Sequence, residues 1–145
     1  MALAAANCAA NAGGAYATAA LDWREPTSVA RVAAQDGGWD MVLAADVLYS
    51  AGEISPLVLA ASALLGRGEG GGGEGGGRAR RFVLACSAWF ADLQPSLVAS
   101  AEAAGLRLRD PSRDHEHGVS LPTPLPTALQ LEGEQPVVLE FVCDG

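Results

Sequence analysis

The sequence has 145 residues, half of them hydrophobic, with a formal net charge of −8 at pH 7 and an isoelectric point near 4.5. This length allows one domain with a hydrophobic core. An acidic chain without a basic stripe excludes nucleic acid as a main partner, because no positive surface is available to meet phosphates. The charge is compatible with a basic protein substrate, or with simple solubility.

The cysteines and the apolar runs indicate the compartment. Cys8, Cys86 and Cys143 are far apart, odd in number and outside any CxxC pattern, which is typical of a reducing environment. Residues 2–20 lack the basic start and the bulky apolar segment of a signal peptide. No apolar run approaches the ~20 residues of a membrane span. We therefore expect a cytoplasmic protein, with the nucleus as an alternative, and no membrane partner.

The first half of the chain predicts two helices and two strands. An alanine-rich helix over Leu3–Ala12 precedes a short strand over Tyr16–Leu21. Pro26 marks the start of a second helix. Met41–Val47 has no polar residue before Asp46, and this continuity indicates a strand covered on both faces in a parallel sheet. The apolar stripe of the second helix consists of Val29, Val32 and Ala33.

The next helix has several start signals. Ser55 is a good N-cap and Pro56 suits the first helical position. Ile54 and Leu59 stand at the two positions of a hydrophobic staple, and Gly66 predicts the end of the helix. The apolar face consists of Leu57, Ala60, Ala61, Leu64 and Leu65.

The second half of the chain predicts three more strands and one more helix. Arg80–Cys86 fits a buried strand, Asp92–Ala104 a helix, and Leu106–Arg109 a half-exposed strand. Val137–Cys143 is the last strand. No helix separates it from the strand before, so we expect the two strands to pair antiparallel.

Two segments of biased composition predict flexible surface loops. Residues 66–78 are mostly glycine, and residues 110–136 contain five prolines. The DHEH segment at 114–117 places two histidines among acids, as a zinc site would, but no third ligand has convincing spacing. We interpret it as a solvated loop and predict no metal. The whole chain, 1–145, is expected to form one α/β domain with a mostly parallel sheet and an antiparallel last strand.

Two aspartates stand at the ends of apolar, strand-like runs. Trp23 directly follows Asp22, and Tyr49 lies three positions after Asp46. An isolated buried carboxylate is costly, and ligands of open α/β sheets bind at the carboxyl ends of the strands. The two pairs therefore predict a polar functional site rather than a part of the core.

These motifs, in this order, resemble the seven-strand S-adenosylmethionine-dependent methyltransferases. The match includes LDW at 21–23, WDMVLAADVLYS at 39–50, and the helix, strand, helix and strand pair that follow. The chain is most similar to the protein-lysine methyltransferases with an Asp-x-x-Tyr motif after the fourth strand, here Asp46-Val47-Leu48-Tyr49. The first helix, with Asn7 and Asn11 on one face, resembles the segment that leads into the third strand of that family.

The resemblance implies methyl transfer from S-adenosylmethionine to a protein lysine. Asp46 would accept a hydrogen bond from the substrate amine, and Tyr49 would pack on the amine-bearing chain or face the cation. Asp22 and Trp23 would contact the adenine, and Ala45 would let the backbone approach the cofactor closely. Alternatively, Asp46 caps the segment after it, Tyr49 packs, and the first pair forms a turn at a strand end.

The sequence departs from the family in two places. It has no glycine-rich turn between a strand and a helix, so we expect an incomplete Rossmann-like sheet that lacks the first two strands. Catalysis would then require the missing N-terminal part. In the other place, Ser87-Ala88-Trp89-Phe90 stands where the family often has an arginine, which bears on the identity of the substrate.

An incomplete sheet has consequences for association and for function. The strand next to the missing one exposes its edge, which predicts self-association through that edge. The competing functional hypothesis is a non-catalytic α/β remnant that binds a partner protein. A dehydrogenase is disfavoured because the chain has no GxGxxG turn.

Overall fold

The computed structural model describes residues 2–11, 16–35, 39–66, 80–87, 92–109 and 137–143. These residues form four α-helices and four strands, with a short 3-10 turn over Ala51–Glu53. The helices are α1 (Ala2–Asn11), α2 (Pro26–Ala33), α3 (Ile54–Leu65) and α4 (Gln94–Ala103). The strands are β1 (Met41–Ala45), β2 (Arg80–Cys86), β3 (Leu106–Leu108) and β4 (Val137–Cys143).

The four strands form one mixed sheet in the order β1-β2-β4-β3. Strand β1 runs parallel to β2, and β4 runs antiparallel to both β2 and β3. Three strands therefore share one direction, and the last strand opposes them. The α/β class, the antiparallel last strand and its pairing with the preceding strand are confirmed.

The core lies between one face of this sheet and helices α3 and α4. Phe82 of β2 lies opposite Phe141 of β4, and the two rings stack with centroids 5.8 Å apart. Leu97 of α4 and Leu65 of α3 are fully buried in the same cluster. Helix α2 adds a second, smaller cluster through Val29 and Val32, which pack against Ala60 and Leu64 of α3. These residues confirm the predicted apolar stripes of α2 and α3.

Among the described residues, the opposite face of the sheet is open along β1 and at the start of β4. Leu43 of β1, Val83 of β2 and Glu140 of β4 lie in register on this face. Leu43 is 70% exposed, and Val138 is also exposed. The prediction that the strand over Met41–Val47 is covered on both faces is therefore wrong for the described residues. Strand β1 lies at the edge of the described sheet, and only its alternate residues, such as Val42, pack against the core.

The predicted strand over Tyr16–Leu21 is also wrong. These residues form no strand, and most of them are exposed. No described strand pairs with them, and their alanines have little tendency to form an extended strand without a partner. The segment is instead held by Arg31 of α2, whose guanidinium donates to the Ala20 carbonyl at 2.6 Å.

The start of α3 differs from the prediction as well. The helix begins at Ile54 directly after the 3-10 turn, so Ser55 lies inside it and is not the N-cap. Leu59 is exposed, so no staple forms with Ile54, which is buried. The predicted end is confirmed. Gly66 has a positive φ of 67°, and the Arg80 guanidinium donates to the Leu65 and Gly66 carbonyls.

The remaining predictions fall partly on described residues. On α1, the Asn11 side-chain amide donates to the backbone carbonyl of Asn7 at 2.8 Å. The two asparagines are four positions apart on the helix and so share a face. Both loop predictions lie outside the described residues, apart from Gly66 at the start of the first, and the DHEH segment lies outside them entirely. Within the described ranges, no helix is long and apolar enough to cross a membrane.

Candidate functional site

The candidate site lies where β1 and β2 end. Asp46 follows β1 directly, and its backbone N–H donates to the Ala85 carbonyl of β2 at 2.8 Å. Asp46 adopts a positive φ of 51°, which is uncommon outside glycine and costs conformational energy. The backbone turns away from the sheet here and leaves the carboxylate exposed.

A hydrogen bond across the strand ends holds this carboxylate. The Ser87 hydroxyl, just after β2, donates to Asp46 Oδ1 at 2.8 Å. Asp46 Oδ2 accepts no hydrogen bond from any other described residue. One carboxylate oxygen is therefore fixed, and the other is available to a ligand. Ser87 was not assigned this role from the sequence, because the contact spans 41 positions.

Tyr49 is presented to solvent by its neighbours. Leu48 is buried in the main core and anchors the segment. The Tyr49 ring beside it is 73% exposed. The Tyr49 backbone N–H donates to Glu53 Oε2 at 2.9 Å, which ties the segment to the turn before α3. The alternative that Tyr49 serves as a packing residue is not supported by this exposure.

The predicted adenine pair forms a compact turn. Asp22 Oδ1 accepts from the Arg24 backbone N–H at 3.0 Å, and the Asp22 N–H donates to the Ser28 hydroxyl at 3.1 Å. The Glu25 N–H donates to the Asp22 carbonyl at 3.2 Å. One oxygen of the Asp22 carboxylate therefore stabilises the turn, as the alternative interpretation of this residue expects.

Trp23 belongs partly to the core. Its half-buried side chain packs against both apolar clusters. The indole Nε1 is buried and has no hydrogen-bond acceptor among the described residues. Such an unpaired buried donor costs free energy. Trp39 contrasts with it, because its Nε1 donates to the Val32 carbonyl at 3.4 Å.

Two residues join the Asp22–Trp23 turn to the segment Asp46–Tyr49 after β1. Arg24 forms an ion pair with Glu53 Oε1, and the other oxygen of Glu53 accepts from the Tyr49 N–H. The Tyr49 amide is the main cause that lowers the pKa of Glu53, and Arg24 lowers it further. Neither residue was predicted. The four-residue spacing of Tyr49 and Glu53 was the only signal in the sequence, and Arg24 gave none.

Two further residues complete the description of the strand ends. Ala45 is exposed and lies opposite Ala85 in the parallel register, beside Asp46. Cys86, the last residue of β2, is buried. This burial raises the pKa of its thiol, and the charge of Asp46 raises it further. The thiol therefore stays protonated near neutral pH and packs as an apolar group rather than acting as a nucleophile.

One residue of each predicted pair, Asp22 and Tyr49, thus lies in a single chain of contacts. Contacts run from Asp22 to Arg24, from Arg24 to Glu53, and from Glu53 to the Tyr49 backbone. In the ranges described, no three acids, histidines or cysteines are grouped as metal ligands.

Comparison with known proteins adds no family assignment. No family model, no curated protein and no solved structure matches this chain.

Proposed function

We propose that the protein is a unit of an S-adenosylmethionine-dependent methyltransferase that acts on protein lysine side chains. One observation carries the proposal. The Asp-x-x-Tyr segment, with the Asp46 carboxylate held by Ser87, is connected through Glu53 and Arg24 to the Asp22–Trp23 turn. One residue from each of the two motifs, Asp22 for the adenine and Tyr49 for the amine, therefore lies in the same chain of contacts.

The described sheet supports the same interpretation. Strands β1, β2 and β3 run in one direction, and β4 lies antiparallel between β2 and β3. The resemblance to the methyltransferases implies an antiparallel last strand of this kind. The coarse α/β architecture is common to many activities, so the site residues and not the sheet carry the functional argument.

The amine side of the site suits a lysine substrate. Asp46 accepts a hydrogen bond from the neutral amine and directs the nitrogen lone pair, and alignment of this kind is the main contribution an enzyme makes to an in-line displacement. The exposed Tyr49 ring packs along the methylenes of the lysine or faces its cation. The net charge of −8 attracts a basic protein segment to this surface.

The donor side fits in part. S-adenosylmethionine, when bound, supplies an electrophilic methyl group on a sulfonium. One Asp22 oxygen already serves the turn, which leaves the other as an acceptor for the exocyclic amine of adenine. The half-buried Trp23 offers part of its indole to the ring, and Ala45 leaves room beside the backbone. The sequence has no glycine-rich strand-to-helix turn, so the described residues provide contacts for the adenine and none of that turn's contacts for the rest of the donor.

The test is equilibrium binding of S-adenosylhomocysteine to the 145-residue chain, measured by calorimetry. Asp22→Asn keeps the Oδ1 acceptor of the turn and replaces only the other oxygen, and Trp23→Phe keeps an aromatic ring in the core. Saturable binding that both variants weaken, and that the control Trp39→Phe leaves unchanged, supports the proposal. A folded chain that binds no S-adenosylhomocysteine overturns it for this chain.

A second function is favoured by the open sheet face. Leu43 and Val138 present exposed apolar side chains there, as a protein-binding surface does. We infer as the alternative a non-catalytic α/β module that binds a partner protein. This alternative is supported over the enzyme by two results together. The folded chain does not bind the cofactor, and Leu43→Lys abolishes its self-association or its binding of a partner protein.

A further inference from the structure

Glu53 contacts both halves of the candidate site at once. Its Oε1 pairs with the Arg24 guanidinium, and its Oε2 accepts from the Tyr49 N–H at 2.9 Å. The Glu53 side chain is mostly buried, whereas the Arg24 side chain is 60% exposed. Arg24 and the Tyr49 backbone therefore share one carboxylate, each through a different oxygen.

The neighbouring residues connect these two contacts with the two motifs. Arg24 lies one residue after Trp23, and its own N–H is bound to Asp22 Oδ1. Tyr49 lies one residue after Leu48, which is buried in the main core and anchors the segment. A ligand seated against Trp23 and Asp22 would therefore press on the residue that holds Glu53.

We propose that Glu53 is a positioning residue that couples the Asp22–Trp23 turn to Tyr49, so that a nucleoside ligand at the turn orders the amine-binding segment. This inference rests on the proposed function. Through Glu53, binding of the methyl donor would regulate binding of the amine substrate. Glu53 itself contacts neither the methyl group nor the amine.

Two readouts follow Tyr49 in the 145-residue chain. One is the hydrogen exchange of the Tyr49 amide. The other is the fluorine spectrum of the protein labelled with 3-fluorotyrosine. The sequence has two tyrosines, Tyr16 and Tyr49. Tyr16 serves as an internal reference, and Tyr49→Phe assigns the signals.

The variants separate coupling from general loosening. Arg24→Ala is expected to speed exchange of the Tyr49 amide about two- to fivefold, the range of one solvent-accessible ion pair. Glu53→Ala is expected to speed it about five- to tenfold through loss of the hydrogen bond. In the double variant Arg24→Ala has no further effect. Glu53→Gln keeps an amide acceptor and restores part of the protection. Arg31→Ala, which removes a contact to the Ala20 carbonyl just before the turn, leaves Tyr49 unchanged.

Addition of S-adenosylhomocysteine then tests the coupling. The proposal expects the ligand to slow exchange at Tyr49 and shift its fluorine signal in the unaltered chain, but not in Glu53→Ala. Ligand binding without either response, or with the same response in Glu53→Ala, overturns the positioning role and leaves the proposed function intact. If the ligand does not bind, the proposed function fails. Additive effects of Arg24→Ala and Glu53→Ala in the free protein would then overturn the coupling as well, and non-additive effects would support it.

Discussion

Ser87 donates a hydrogen bond to the carboxylate of Asp46, with 2.8 Å between Ser87 Oγ and Asp46 Oδ1. The bond spans the ends of two parallel strands, and it accompanies the left-handed backbone of Asp46. An exposed carboxylate would otherwise rotate freely. The pair therefore fixes the direction of one oxygen and leaves the second for a ligand, as an orienting group for an amine requires.

Asp46→Asn and Tyr49→Ala are expected to lower methyl transfer more than donor affinity, because both residues serve the amine. Ser87→Ala should lower transfer about fivefold through loss of one orienting hydrogen bond, and Ser87→Thr should retain it. The measurement is transfer of a labelled methyl group from S-adenosylmethionine to a basic protein. Donor affinity is determined in parallel, and an equal loss of donor binding would reject the assignment.

Asp46→Gly separates the backbone conformation from the chemistry. With φ at 51°, an alanine at this position carries a penalty of about 1 kcal/mol that glycine avoids. Asp46→Gly should therefore be more stable in urea than Asp46→Ala, although both lose the bond to Ser87 and neither supports methyl transfer. Equal stabilities would show that the left-handed conformation is not kept in solution.

Self-association should depend on the open face of β1. Leu43→Lys places a charge on the exposed apolar face of this edge strand, and charges of this kind block edge pairing. We expect the unaltered chain to sediment as a concentration-dependent oligomer and the variant to shift towards monomer. Leu59→Lys is the matched control, since Leu59 on α3 is also exposed, at 58%. An equal shift in both variants would point to general solubility instead.

The contacts of Glu53 predict a pH dependence. The Tyr49 amide and Arg24 lower the pKa of Glu53 below its ordinary value of 4.5. Its ionised contacts therefore stabilise the fold above that value and are lost as the pH falls through the lowered pKa.

The checking measurement is the midpoint of thermal unfolding between pH 7 and pH 3. The unaltered chain should unfold at a higher temperature than Glu53→Gln at neutral pH, and the difference between the two midpoints should shrink in acid. Glu102→Gln on the exposed side of α4 should show no such trend. A difference that is constant with pH would exclude ionisation of Glu53 as its source.

Local signals were sufficient where an element is defined by its own residues. The strands Arg80–Cys86 and Val137–Cys143 were predicted with their observed bounds, because continuous apolar runs in a chain of this order need two neighbours in a sheet. Helix α2 likewise follows from Pro26 at its start and from the spacing of Val29 and Val32, which places both on one buried face.

Tertiary structure decided everything that depends on a distant partner. Tyr16–Leu21 is short and mostly apolar, but no described strand pairs with it. Strand β1 lies at an edge of the described sheet, which the apolar content of Met41–Ala45 does not reveal. The sequence singled out Asp22, Trp23, Asp46 and Tyr49 because motifs are local. The Ser87–Asp46 hydrogen bond spans 41 positions, and the ion pair between Arg24 and Glu53 spans 29, so both exist only after the chain has folded.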